Sequence, residues 1–299
     1  MTGGEALIGF LGARAIPGVE HFDGATYRRA MALQRGSATL ELAARGDGAS
    51  YGLELEHPAD REEAVARSRR LLDLDADLGP VETQLRADPV LGPLVERRPG
   101  LRVPSTVDGF ELAVRAIVGQ QVSVAGARTV LSRLATRYGD PLEAHHGLTR
   151  RFPSPHALAA ADPKDFPFPR VRGEALRALA RLVIEGRLDL DAGADPAATR
   201  ATLLEIRGVG PWTASYIGMR ALGDRDAWLP GDVGLRNALE RLGHPGDGAG
   251  ALRQAEAWRP WRSYAVMHLW ALAAPAFFRS TIPLTGPTTP APPSGRSTP

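Results

Sequence analysis

The spacing of hydrophobic residues divides this chain into a region of two-residue period and a longer region of helical period. Over Thr39–Ala43 and Tyr51–Glu56 apolar and polar residues alternate, with Tyr51, Leu53 and Leu55 on one face. The glycine-bearing run Arg45-Gly46-Asp47-Gly48 lies between them as a turn, and Tyr27–Leu33 predicts a third strand. Asp60-x-x-Glu63 has the form of a capping box, in which two side chains satisfy the first orphan amides of a helix, and it predicts a helix to about Leu74. Residues 1–82 therefore read as a small α+β unit with a mixed or antiparallel sheet.

From about residue 107 the period is helical. Phe110, Ala113, Val114, Ile117 and Val118 recur at i, i+3, i+4, i+7 and i+8, which predicts one buried stripe. Gly119-Gln120-Gln121 interrupts it, and a second helix carries Val124, Ala127, Leu131, Leu134 and Tyr138 inward. Further helices are predicted over Arg172–Glu185, Thr199–Ile206, the stripe Leu235, Ala238, Leu239 and Leu242, and Tyr264–Leu272. The fold class is thus mainly α with an N-terminal α+β domain. Residues 280–299, rich in Pro, Thr, Ser and Gly with little to bury, are expected to form a disordered tail.

Composition narrows the chemistry. At 299 residues the chain has room for two or three domains. It contains no run of roughly 18 apolar residues and no charged-then-apolar leader, so no membrane span is expected and the cytoplasm is the default compartment. The absence of cysteine excludes disulfides, a thiol nucleophile, cysteine-ligated zinc and all-cysteine iron–sulfur clusters. Lys164 is the single lysine, so the positive charge is arginine, which binds phosphate bidentately and stacks on flat groups. A net charge of +2 is too small to identify a nucleic-acid partner, and a GC-rich genome explains the scarcity of lysine equally well.

Candidate chemistry lies at Ile206-Arg207-Gly208-Val209-Gly210-Pro211-Trp212 and, twenty residues after that Trp, at Leu229-Pro230-Gly231-Asp232. Gly208 and Gly210 free the backbone to turn between two helices, and Pro211 suits the first position of the second. Amide groups presented this way can hold a phosphate oxygen with no side chain involved, positioning DNA without reading its sequence. Taken alone, the Gly-x-Gly also fits an ordinary helix corner, and Asp232 alone fits a helix N-cap, since Val233 begins an apolar stripe. Trp212 and Tyr216 stand at i and i+4, side by side on one helix face.

Beyond the hairpin, the segments Leu7–Ala15, Phe110–Gln120 and Trp258–Ala265 resemble the AlkA-type DNA-3-methyladenine glycosylases, and the Gly208–Gly210 hairpin with Pro230-Gly231-Asp232 resembles the helix-hairpin-helix/Gly-Pro-Asp superfamily. The likeness covers roughly residues 7–278. It implies a sheet domain over 1–82, a helical lobe from 83–106 and 225–279 carrying the catalytic Asp, a second lobe over 107–224 carrying the hairpin, and an active cleft between the lobes. Asp232 is then the catalytic carboxylate, set against the positive charge that develops on the sugar and beside an attacking water. Trp212, Tyr216 and Trp270 line the base pocket with Phe10 near it, where electron-rich rings attract a base made cationic by ring alkylation. Gly208, Gly210, Arg207, Thr213 and Gln120 are expected at the DNA, and Gln121 takes the place of the wedge that fills the gap left by the flipped nucleotide.

Three positions depart from the family pattern. The wedge is polar here rather than apolar, Arg207 stands where many such hairpins carry Pro, and Val233 follows the Asp where the reference enzyme has Tyr. Bifunctional members attack the sugar with a lysine two residues after the second hairpin glycine, where this chain has Trp212. The resemblance therefore implies hydrolysis alone, by a monomer acting on alkylated bases in double-stranded DNA, with no required cofactor. A monovalent cation, Na or K, could sit on the main-chain carbonyls of Leu204, Ile206 and Val209. Excision of deaminated or oxidised purines and a non-catalytic DNA-binding module are the competing readings, the latter needing the hairpin but neither Asp232 nor the aromatic residues. AlkA-type domains can be fused to a methyl-accepting domain whose chemistry requires cysteine, so any such partner is expected on a separate polypeptide.

His145-His146, before Gly147, lacks a carboxylate or further histidine at ligand spacing and reads as surface loop. His268 reads as a packing or hydrogen-bonding residue on the last helix, and Glu62-Glu63 with Arg67, Arg69 and Arg70 as a solvated helix face.

Overall fold

The computed structural model describes residues 3–45 and 48–278. The expected tail 280–299 and the centre of the turn between the two alternating segments lie outside the described residues. A first helix, α1 (Gly3–Gly12), precedes four strands: β1 (Glu20–Phe22), β2 (Thr26–Ala32), β3 (Ser37–Arg45) and β4 (Gly48–Leu55). They form one antiparallel sheet in the order β1-β2-β3-β4. Its register pairs Tyr27 with Leu42 and Leu42 with Tyr51, so the residues picked out by alternation line one face, on which α1 packs. The same region holds α2 (Arg61–Leu71), α3 (Leu78–Ala87) and α4 (Gly92–Arg97).

The rest is helical except for one small hairpin. In order come α5 (Gly109–Val118), α6 (Val124–Tyr138), the strands β5 (Pro141–His145) and β6 (Leu148–Arg150), α7 (Pro155–Ala160) and α8 (Arg170–Ile184). Then follow α9 (Pro196–Glu205), α10 (Pro211–Ile217), α11 (Val233–Arg241), α12 (Gly248–Glu256) and α13 (Arg262–Ala273). No helix among the described residues is long and apolar enough to cross a membrane.

Two expectations need correction. Asp60 does precede α2, but its side chain caps nothing there. It is buried and accepts the Arg35 amide at 3.1 Å, while Glu63 accepts that of Gln34 at 3.4 Å, so both carboxylates hold the β2–β3 turn instead. The stripe on α5 is not one face either. Glu111, Leu112 and Ala116 are as buried as Phe110 and Val114, because α6, α8 and α10 pack around this helix.

Buried side chains form two cores. One joins α1, the sheet and α2–α4 to α11–α13, and the other joins α5–α10, with Ile16 and Val19 entering it from the segment after α1. A buried ionic network crosses the seam. Arg29 on β2 meets Glu20 of β1 at 3.4 Å and Glu111 of α5 at 2.8 Å, and Arg115 of α5 reaches Glu20 at 2.7 Å and also pairs with Glu111. Burial alone would push the Glu111 carboxyl up, but the adjacent guanidiniums outweigh it and hold the group below its ordinary value of 4.5.

Removing one member strands the others. Glu111→Gln is expected to cost about 3–5 kcal/mol in denaturant unfolding, because it leaves two buried guanidiniums short of a carboxylate. A loss under about 1 kcal/mol would show that the network is solvated and carries little. Because the Glu111 pKa is depressed on folding, its stabilisation is present above pH 4.5 and disappears as pH falls through the folded-state value, so the variant should lose less on acidification than the wild type.

Candidate active site

The helix-hairpin-helix is built by α9 and α10. The chain reverses through Arg207–Gly210 and is pinned by the Val209 amide donating to the Ile206 carbonyl at 2.9 Å. Gly208 has φ +95°, a left-handed conformation that any side chain would strain. Gly210 differs: its φ is −98° and a Cβ there would meet nothing within 4 Å. The chain's own packing therefore does not require glycine at 210. Pro211 then opens α10, whose first-turn amides have no carbonyl behind them to bond.

The two glutamines of the α5–α6 break have different roles. Gln120 turns inward, its Nε2 donating to the Gly208 carbonyl at 2.9 Å and to the Thr213 hydroxyl at 3.0 Å, while the Gln120 carbonyl accepts from the Arg172 guanidinium at 2.8 Å. Both Gln120 and the buried Thr213 thus brace the hairpin from behind. Gln121 is exposed at the tip with φ +56°, and Arg207 is exposed on the hairpin itself.

Asp232 is the N-cap of α11, its Oδ1 accepting the Leu235 amide at 2.8 Å. The same oxygen accepts the Trp270 indole N–H at 3.0 Å, and Oδ2 accepts that of Trp212 at 2.8 Å. Cap and anchor are therefore one residue, fixed by donors from α10, α11 and α13. An ionised carboxylate offers about four acceptor sites; three are taken and one is left. Gly234 makes room for this arrangement, since a Cβ there would lie 3.1 Å from both Asp232 Oδ1 and the Trp270 ring.

The aromatic residues assemble around that carboxylate. Trp212 and Tyr216 are stacked at 5.1 Å and 7°, already in contact, so no further ring fits between them. Tyr216 meets Trp270 at 6.3 Å and 49°. All three are half-buried. Phe10 stacks on Trp270 at 6.4 Å but has no exposed surface, so it backs the cluster from within.

Sequence reading passed over two arginines beneath this cluster. The Arg14 guanidinium lies 3.7 Å from the Phe10 ring centroid, and buried Arg220 lies 4.9 Å from it while donating to the Tyr216 hydroxyl at 3.0 Å. Arg220 is held by the carbonyls of Pro104 and Ser105, and among the described residues neither arginine pairs with a carboxylate. Desolvation drives Arg14 down to about 10 and lowers Arg220 as well. The missed signal was spacing: Arg14 follows Phe10, and Arg220 follows Tyr216, by four residues, one helical turn. Arg220 sits in the π-helical turn Gly218–Leu222 that prolongs α10.

Lys164 is exposed in the turn Pro163–Asp165, which packs on α8, and no lysine stands on the hairpin. His268 is buried, and its Nδ1 has no hydrogen-bond partner among the described residues. Burial, with Arg98 adding to it, lowers its pKa to about 4.

The chain thus joins a helix-hairpin-helix to a Pro-Gly-Asp segment whose carboxylate caps the next helix and is held by two indoles. Sequence comparison places it further. Residues 3–108 match the AlkA N-terminal domain family, and residues 114–263 match the HhH-GPD superfamily of base excision DNA repair proteins. The chain belongs to that superfamily. It is 38% identical to the DNA-3-methyladenine glycosylase 2 of Escherichia coli over 272 residues, spanning 88% of this chain and 92% of that one. It is 44% identical over 267 residues to the Mycobacterium tuberculosis protein named "Probable bifunctional transcriptional activator/DNA repair enzyme AlkA", spanning 89% of this chain but only 54% of that longer relative. The fold is shared with a 3-methyladenine DNA glycosylase of Archaeoglobus fulgidus, with a TM-score of 0.77 at 21% identity over 90% of this chain and 94% of that one.

Burial of His268 has a measurable effect on stability. Unfolded histidine titrates near 6.5 and the folded one near 4, so between those values the unfolded chain holds a proton that the folded chain does not. Stability from this residue is present above pH 6.5 and is lost as pH falls toward 4, by ~3 kcal/mol in all. His268→Gln should remove that slope from the difference between the two unfolding curves; parallel curves from pH 7 to 4 would contradict it.

Proposed function

We propose that this protein is a monofunctional DNA glycosylase that hydrolyses the N-glycosidic bond of alkylated bases, of the 3-methyladenine and 7-methylguanine type, in double-stranded DNA. The observation that carries the reading is Asp232, fixed by two indoles beside a stacked aromatic cluster and retaining one open acceptor site. A hairpin that only bound DNA would need neither. The names of the E. coli and A. fulgidus relatives point to the same substrate class.

The steps follow from the residues. The hairpin amides near Gly208 and Gly210 hold a backbone phosphate, and Gln121 enters the space vacated when a nucleotide rotates out of the stack. A base alkylated on a ring nitrogen carries a positive charge, which the faces of Trp212 and Trp270 attract by roughly 0.5–2 kcal/mol. Breaking the C1′–N bond sends its electron pair to the base, which leaves neutral, while C1′ becomes cationic. The Asp232 carboxylate stabilises that cation, and water at its open acceptor site adds to C1′ and gives its proton to the carboxylate. The products are the free base and an abasic site.

Strand cleavage is not part of the proposal, because Trp212 occupies the position from which an amine would attack C1′. The residues present fit a monovalent cation at the hairpin: the Ile206 carbonyl accepts the Val209 amide and keeps a second lone pair. Leu204, Ile206 and Val209 would hold such an ion, which would stiffen the turn that faces the phosphate. The protein is expected to work as a monomer at the nucleoid.

Asp232→Asn should retain duplex binding and lose at least ~100-fold in release of 3-methyladenine or 7-methylguanine from alkylated DNA. Release at the wild-type rate would refute the mechanism, and a panel of damaged duplexes scored for free base would expose a preference for deaminated or oxidised purines. Borohydride reduction during turnover should trap no protein–DNA adduct; a trapped adduct would show that an amine attacks the sugar after all.

A further inference from the structure

The β5–β6 hairpin turns through His146 and Gly147, both left-handed at φ +50° and +81°. Glycine adopts that conformation freely, whereas histidine is strained by it. Consecutive strand residues normally point to opposite faces. Here the left-handed residue breaks the alternation and puts the His145 and His146 rings together, with centroids 3.8 Å apart. Both side chains are exposed, so burial does not explain the pairing.

The hairpin docks on the N-terminal domain. The amides of Thr149 and Arg150 donate to the Gly18 carbonyl at 2.7 and 3.1 Å, and the His21 ring lies against Gly147. Docking brings in a carboxylate that sequence spacing could not reveal: Glu54 of β4, whose Oε2 is 3.4 Å from His145 Nε2. One ligand atom from each of Glu54, His145 and His146 lies within 4.8 Å of the others. The reading of this pair as plain surface loop rested on the lack of a carboxylate, and the fold supplies one.

We infer that Glu54, His145 and His146 form a surface site for a borderline divalent cation of the Zn2+ type, away from Asp232. Two imidazole nitrogens and one carboxylate oxygen, with water completing the shell, is a zinc donor set; Mg2+ and Ca2+ favour oxygen alone. Tetrahedral bonds of about 2.0–2.2 Å place ligand atoms roughly 3.4 Å apart. The observed spacing needs closing by little more than an ångström, which exposed side chains accomplish by rotamer adjustment. The bound ion would join the sheet to the hairpin of the helical region and so stabilise the folded chain.

The test is calorimetric titration of ZnCl2 into the untagged full chain after chelator treatment, with thermal unfolding alongside. One ion per chain and a raised unfolding midpoint are expected, with no response to MgCl2. Glu54→Gln and His145→Ala should each weaken binding at least ~10-fold. His146→Gly should do the same while raising the metal-free midpoint, because glycine suits the turn, so loss of binding there cannot be ascribed to misfolding. Absence of saturable binding in the wild type, or binding unchanged in any of the three variants, overturns the assignment.

Discussion

The buried ionic network Glu20–Arg29–Glu111–Arg115 sets how the two cores meet, and the candidate site exists only because they meet in one way. Trp212 and Tyr216 stand on α10, a helix of the second core, and pack their rings against the first, from which Asp232 and Trp270 come; the Trp212–Asp232 hydrogen bond spans the same seam. Apolar packing alone tolerates small shifts of one core against the other. Charge pairs at this depth do not, since moving a guanidinium away from its carboxylate leaves both unsolvated. Expensive groups are thus spent where positional accuracy is needed.

The charges around the aromatic cluster are arranged asymmetrically. Asp232 presents a carboxylate on its half-buried side, and the cations Arg14 and Arg220 lie beneath Phe10 and Tyr216. Neither arginine is neutralised by a nearby carboxylate among the described residues. A positively charged base resting on these rings would thus be attracted by the ring faces and the carboxylate and opposed by the arginines. Release of the base as a neutral species removes that opposition, which favours the bond-breaking step of the proposed reaction over tight binding of the substrate.

What could be read from sequence was what is encoded locally. Tyr51, Leu53 and Leu55 announced a strand by alternation, Gly208 announced a turn by its lack of a side chain, and Asp232 announced a helix start by its type. Short helices such as α4 and α7 carry too few residues to show a periodic stripe, and the stripe on α5 revealed a helix without revealing that nearly all of its residues are buried. Contacts between distant segments left no trace: Asp60 looked like a cap for its own helix but serves the Arg35 amide, and nothing in the sequence tied the Gln120 side chain to the Gly208 carbonyl. In each case the sequence did not disclose the partner within the chain, because that partner is set by tertiary packing.

A single lysine has one further consequence. Arginine supplies nearly all of the positive charge, so acylating chemistry, whether an acetyltransferase or a labelling reagent, finds one side-chain amine on the entire molecule. That amine, Lys164, is exposed on a turn outside the hairpin and the aromatic cluster. The charge facing a polyanion is therefore fixed against the commonest covalent means of tuning it, while the same economy leaves a unique address for a fluorophore or surface tether.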